Sequence, residues 1–175
     1  MQQEITRVAL DAMGGDNAPG ELVKGAVDAV NGRSDIKVLL VGQQDVVEKE
    51  LKQYSYPKEQ IEVVHAEEVI ETAEPPVNAI RKKKQSSIVV GMNMVKQKEA
   101  DAFVSSGSSG AILVGGQVIV GRSKGVQRPP LAPLIPTEKG VSLLNDCGAN
   151  VDARPDHLVQ FAKMGSIYME DVVGI

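Results

Sequence analysis

Ile5-Thr-Arg-Val-Ala-Leu-Asp-Ala-Met-Gly-Gly-Asp16 joins an apolar run to an acidic, glycine-rich turn. The run 5–10 reads as a buried strand, and an amphipathic helix begins near Pro19. Asp11, Gly14, Gly15 and Asp16 therefore fall where a strand emerges from a sheet. In an open α/β sheet that edge is where ligands bind. Adjacent glycines let backbone amides approach a ligand closely and permit positive φ.

Outward from this point, short apolar runs alternate with helical spacing. Strands are predicted at 5–10, 36–41, 61–64 and 102–104. The intervening helices are predicted at 21–30, at 45–53, after Pro75-Pro76, and from Ile88 to near Glu99. A further helix, 111–120, is apolar almost all round, which predicts burial on several sides. Strands at 131–135 and 141–144 flank Thr137-Glu-Lys-Gly140, a turn that suits a hairpin. Pro155 suits the first turn of a last helix, with Leu158, Phe161, Ala162 and Met169 on its buried face. Residues 171–175 read as the approach to another strand. The alternation predicts a three-layer α/β/α fold with a mostly parallel sheet, made mixed by the hairpin and incomplete at its end.

Composition narrows the function classes. Hydrophobic residues make up 42% of 175, enough for a packed core. Aromatics are 3% and Trp is absent, so the stacking platforms of single-strand nucleic-acid binders are missing. Net charge is −4, which disfavours a general polyanion binder. The single cysteine, Cys147, excludes an internal disulfide framework and a cysteine-rich metal site. The N-terminus lacks the basic-then-apolar layout of a secretory signal, and no run reaches the length of a membrane span. These features point to a cytoplasmic protein, with peripheral membrane contact left open.

Three loops share one grammar: strand, small or acidic residues, then helix. They are Asp11 to Asp16, Ser105-Ser-Gly-Ser-Ser-Gly110 and Asp146-Cys-Gly-Ala-Asn150. On parallel strands all three would open on one edge. The second is the best anion site, because Gly107 and Gly110 expose amides, Ser108 and Ser109 add hydroxyls, and a helix begins there. Its bland alternative is a serine N-cap. Neither GxGxxG after a strand nor GxxxxGK[ST] occurs, which argues against dehydrogenases and P-loop NTPases. Asp11, Asp16 and Asp146 could hold Mg²⁺, or could simply fix their turns. Arg81-Lys-Lys-Lys84 is either a solvated helix end or a docking patch, and Arg128 is either an anion ligand or part of a surface turn. Cys147 reads as a small packed side chain, and His65 and His157 as structural or solvated. No Ser-His-Asp arrangement can be assembled.

At these residues the chain resembles the bacterial phosphate acyltransferases of phospholipid synthesis. The likeness begins at Asp11-Ala-Met-Gly-Gly-Asp16 and continues through Arg81-Lys-Lys-Lys-Gln-Ser-Ser87, Ser105-Ser-Gly-Ser-Ser-Gly-Ala111 and Arg128-Pro-Pro-Leu-Ala-Pro133. It ends with Asp146-Cys-Gly-Ala-Asn150, Arg154-Pro-Asp-His-Leu-Val-Gln160 and Met164-Gly-Ser-Ile-Tyr168. The resemblance implies an isocitrate/isopropylmalate-dehydrogenase-like α/β/α fold, of which this chain is the N-terminal portion of a single catalytic domain. It implies the reaction of inorganic phosphate with acyl-[acyl-carrier-protein] to give acyl phosphate and free carrier protein. It also implies no organic cofactor or metal, a homodimer, and peripheral association with the cytoplasmic membrane, while the composition already argues against a nucleic-acid partner.

On that reading Gly107, Ser108, Ser109 and Gly110 hold phosphate, with Gly14 and Gly15 as the facing wall and Arg128 as a further ligand. Asp11 and Asp16 orient the wall, and Asp146 and Asn150 complete the rim. Lys82, Lys83 and Lys84 dock the acidic carrier protein. The sequence departs from the family at Ser108 and Ser109, which stand where Asn-Thr is usual, and at Cys147, where an apolar residue is usual. Family members are also longer, with further site loops, dimer contacts and membrane-binding elements in their second half. Two other readings remain: an Mg²⁺-dependent phosphohydrolase using Asp11, Asp16 and Asp146, and a non-catalytic anion-binding fragment.

Overall fold

A computed structural model describes residues 5–175. The residues before Ile5, part of the stretch read for a secretory signal, lie outside the described residues. The chain forms two compact units, 1–120 and 121–175.

The first unit is a parallel sheet between two helical layers. Its strands are β1 (Thr6–Asp11), β2 (Ile36–Gly42), β3 (Ile61–His65) and β4 (Ala102–Val104), in the order β3-β2-β1-β4. Helices α1 (Gly20–Gly32), α2 (Gln44–Leu51), α3 (Pro76–Lys82), α4 (Ser87–Lys96) and α5 (Ser109–Gly115) connect and follow them. Strand β2 is buried on both faces, as an unbroken apolar run in a parallel sheet must be. Val38 and Leu40 meet Val23, Val27, Val47 and Leu51 of α1 and α2 on one face. Leu39 and Val41 join Ala9, Met94 and Ala100 on the other. Period-2 alternation thus sends successive residues of one strand into two separate cores. Each such side chain, fully buried, stabilises the fold by roughly 1.5–3 kcal/mol. A third cluster ties Ile80, Ile88 and Met92 of α3 and α4 to Ala111 of α5.

Strands β1 and β4 are paired in parallel, with Leu10 opposite Val104. At their amino ends Arg7 grips Asp101: Nη2 lies 2.9 Å from Oδ1, and the Arg7 amide donates to Oδ2 at 2.8 Å. The hydrogen bond from the Arg7 side chain holds the Asp101 carboxyl below its usual range. This pair sits on the edge opposite to the turns that follow the strands.

The second unit holds a hairpin and a long helix. Strands β5 (Leu134–Thr137) and β6 (Gly140–Leu143) are antiparallel and form a sheet of their own. The predicted turn is therefore present, but the expected mixed sheet is not: the four-stranded sheet is wholly parallel. Helix α6 (Pro155–Tyr168) buries His157, Phe161 and Gly165 rather than the predicted Leu158 and Ala162, which are exposed. The reason lies at Gly165. An added Cβ there would lie 3.0 Å from Asn145 Nδ2 and 3.1 Å from Leu143 Cδ2, so the hairpin approaches along the glycine stripe. Beyond α6 the chain continues as a π-helical turn, Met169–Val173, in place of the expected strand approach. Helix α5 likewise runs into a π turn, Gly116–Val120. Only Ala111 and Gly115 of the predicted 111–120 helix are fully buried, and Val118 is 64% exposed, so burial on all sides is not met.

Candidate active site

The strand order places a topological switch between β1 and β4. From β1 the chain steps to β2 and β3 on one side, then returns to β4 on the other. The crevice at the carboxyl ends of two such strands is the usual ligand position in open α/β sheets. Both turns that open there are glycine-rich, and the one after β4 is also rich in serine.

The two turns are latched together by one carboxylate. Asp11, last residue of β1, is only 1% exposed. Ser105, first residue after β4, donates its hydroxyl to Asp11 Oδ2 at 2.7 Å. Met13 donates its amide to Asp11 Oδ1 at 3.1 Å. Ser105 Oγ in turn accepts from the Gly107 amide at 3.0 Å. A buried carboxylate is tolerable only with such donors. The chain of bonds fixes both loops from the register of β1 on β4.

Close backbone contact explains the glycines. A Cβ on Gly14 would lie 2.4 Å from Asp11 Oδ2 and 2.8 Å from the Gly107 nitrogen, so no side chain fits. Gly15 has φ +100°, the left-handed region, and faces Ser106. A Cβ on Gly107 would lie 3.3 Å from both Asp11 Oδ2 and Gly14 Cα. Gly110 has a different reason: a Cβ there would reach 2.6 Å from Pro76 Cγ, at the start of α3.

Ser108 is 4% exposed and caps α5, accepting from the Ala111 amide at 3.3 Å. Accepting leaves its own proton free to donate. Ser109 is exposed at the first helical position. The Gly107 amide is taken by Ser105, whereas the amides of Ser108, Ser109 and Gly110 have no partner among the described residues. Asp16 is exposed and makes no side-chain hydrogen bond among the described residues. Sequence reading passed over Ser105 as a residue with a role. Its only signal was its place directly after β4, opposite Asp11, which becomes visible once the two strands are paired.

The basic run at the end of α3 divides. Lys83 Nζ donates to Glu74 Oε1 at 2.5 Å and to the Val69 carbonyl at 2.6 Å, so its charge is spent inside the unit. Lys84 Nζ bonds the Ile80 carbonyl at 3.1 Å, as a cation at a helix end does. Lys82 is exposed with no side-chain partner among the described residues. The Lys83 hydrogen bond, supported by the Glu71 amide, holds the Glu74 carboxyl below its ordinary value of 4.5. A carboxyl lowered on folding stabilises above its unfolded pKa and loses that contribution as pH falls through the folded one. Urea titrations of wild type and Glu74→Gln should therefore differ most near neutral pH and converge in acid. A difference that grew on acidification would contradict the pairing.

In the second unit Asp146 and Asn150 act on one loop. Asp146 accepts from the amides of Leu131 at 2.5 Å and Asn150 at 2.8 Å, and Asn150 Nδ2 donates to the Pro129 carbonyl at 3.1 Å. Their loop follows β6 of the hairpin, not a strand of the parallel sheet, which corrects the expectation of three loops on one sheet edge. Cys147 is exposed rather than packed. His157 is buried, its Nδ1 accepting from the Arg154 amide at 3.3 Å, and His65 is exposed at the end of β3. Arg128 is exposed and lines a hollow of the second unit with Arg122 and Arg154. Among the described residues no three His, Cys, Asp or Glu side chains are grouped to hold a metal ion.

Residues 6–175 match the model of a family described as "Fatty acid synthesis protein". The chain is 52% identical over 169 residues to a phosphate acyltransferase of Alkaliphilus oremlandii and 50% identical to one of Clostridium beijerinckii, covering 97% of this chain in each case. It spans about half the length of these curated relatives (50% and 51%). Among solved structures, a phosphotransacetylase from Streptococcus pyogenes superposes with a TM-score of 0.72 at 16% identity, over 98% of this chain and 55% of the other. The EutD phosphotransacetylase from Staphylococcus aureus gives 0.63 at 18% identity, over 90% and 51%. At these identities the structural likeness concerns the fold, and it supports the α/β reading.

Proposed function

Because the chain belongs to the fatty acid synthesis protein family, whose curated members matched here are phosphate acyltransferases, we propose that it forms the phosphate-holding part of such an enzyme. The observation that carries this reading is the latched crevice between β1 and β4, where Asp11, Ser105 and Gly107 hold two glycine loops in contact.

In this reading phosphate rests on the free amides of Ser108, Ser109 and Gly110 and on the two serine hydroxyls. One phosphate oxygen attacks the carbonyl of an acyl thioester. The carbon–sulfur bond breaks as the tetrahedral oxyanion collapses, acyl phosphate forms, and the thiolate leaves with the proton that the hydrogen phosphate gives up. The nucleophile is the substrate itself, so the protein's contribution is position and charge stabilisation. Asp11 is a positioning residue, since both its oxygens are already occupied. Gly14 and Gly15 form the facing wall, with Asp16 exposed beside them. The thioester is that of acyl carrier protein, which the exposed Arg81, Lys82 and Lys84 would steer by complementary charge. A homodimer at the cytoplasmic face of the membrane, serving phospholipid synthesis, accompanies this reading. No helix among the described residues is long and apolar enough to cross a membrane.

The test is acyl phosphate, trapped with hydroxylamine, from inorganic phosphate and acyl-[acyl-carrier-protein]. Product is expected with EDTA present, and Lys82→Glu should flatten the salt dependence of carrier-protein binding. Activity lost to EDTA and restored by Mg²⁺ would instead favour the phosphohydrolase. Phosphate binding without turnover would leave an anion-binding module.

A further inference from the structure

The second unit contains a hollow of about 510 Å³ lined by Arg122, Gln127, Arg128, Asp152, Arg154 and His157. Nothing in the acyl-transfer reading uses it as a whole. Its volume falls within the roughly 300–1,000 Å³ of small-molecule sites. Three arginines share its lining with one aspartate.

Gln127 organises the cations. Its carbonyl accepts from Arg122 Nη1, and its side-chain oxygen accepts from Arg154 Nη2 at 2.9 Å. The same oxygen lies 3.2 Å from His157 Nε2, and His157 is 3% exposed. Gln127 is itself held on α6, its amide donating to Gln160 Oε1 at 2.9 Å, while Gln160 Nε2 donates to the Gly125 carbonyl. The hollow's wall is thus hydrogen-bonded to a long helix.

The acceptors that hold these guanidiniums are mostly neutral. Arg122 uses one nitrogen, on a carbonyl. Arg154 uses only Nη2, on Gln127, on His157 and, at 3.3 Å, on Asp156. Arg128 makes no side-chain hydrogen bond among the described residues. Each guanidinium offers five donors in a planar fork that matches phosphate oxygens in pairs. Most of those donors remain unspent, and three like charges around one hollow repel until an anion enters.

We propose that this hollow is an anion site built from residues of the second unit alone, and that it takes the phosphate group of an organic phosphate ester. The forked donors recognise the phosphate, and a space this large accommodates more than a bare ion. Arg128, which the resemblance assigns to phosphate, is the one residue that the hollow shares with the acyltransferase reading; Arg122, Gln127 and Arg154 belong to the hollow alone.

The test is calorimetric titration of the whole chain with a monoalkyl phosphate and, separately, with inorganic phosphate. The alkyl phosphate should saturate, and Arg122→Ala should weaken it by about tenfold or more at an unchanged urea midpoint. Arg122→Lys, which keeps charge but loses the fork, should restore only part of the affinity. Ser105→Ala, which unlatches the crevice, should leave this binding intact while weakening any phosphate bound there. The proposal is overturned if wild type shows no saturable binding, or if Arg122→Ala and Arg154→Ala both bind like wild type. It is equally overturned if inorganic phosphate occupies the arginine-dependent site as tightly as the ester.

Discussion

Gly14→Ala is expected to destabilise the first unit by about 1–3 kcal/mol or more and to abolish phosphate binding in the crevice. The methyl group would sit 2.4 Å from a carboxylate oxygen that cannot move without releasing Ser105. It would also press on the Gly107 nitrogen, 2.8 Å away, so both loops must separate. Urea unfolding and phosphate titration read the two effects separately. Gly25→Ala is the matched control, since a Cβ at that helical position meets nothing within 4 Å. Wild-type stability in Gly14→Ala would mean that the two loops are not in contact.

Asp11→Ala should have the second large effect, through loss of the latch rather than through a clash. It strands the half-buried Met13 amide and Ser105 hydroxyl, each at a cost of up to the about 1–3 kcal/mol of a fully buried unsatisfied donor. The Gly107 amide keeps its partner Ser105, but Ser105 loses the acceptor that orients it. Affinity for phosphate should fall along with stability. Asp11→Asn separates shape from charge: its oxygen can still accept one bond, but its amide cannot accept the second. An intermediate loss is expected. Asp11→Asn as severe as Asp11→Ala would show that the charge, not the hydrogen-bond count, organises the loops.

Much of the first unit was legible from hydrophobic period. The runs that became β1, β2, β3 and β4 are short and mostly apolar, and helical spacing between them leaves a parallel sheet as the consistent answer. The second unit was less legible. In α6 the apolar residues Leu158 and Ala162 suggested one face, yet the buried stripe follows His157, Phe161 and Gly165. A glycine carries no hydrophobic signal, although the space it leaves decides which side the hairpin approaches. The hairpin was recognisable at its turn, but whether it joined the larger sheet depended on partners outside its own sequence.

The candidate site shows the same division. Residue types already marked the turns after β1 and β4: carboxylate, glycines and serines at strand ends belong at a ligand edge. The roles of individual residues needed pairing. Ser105 became the latch because β4 lies beside β1 with Leu10 opposite Val104, a relation across more than ninety positions of chain. Lys83 left the docking patch because Glu74 and the Val69 carbonyl receive its charge.

The sequence alone determined the layered α/β class, the ligand edge and the glycine-rich turns, because these follow from local period and backbone freedom. The tertiary structure alone decided which donors meet which acceptors: Ser105 on Asp11, Lys83 on Glu74, and three arginines around one hollow. Hydrogen bonds and charge contacts act over a few ångströms. Only folding brings residues distant in the chain within that range.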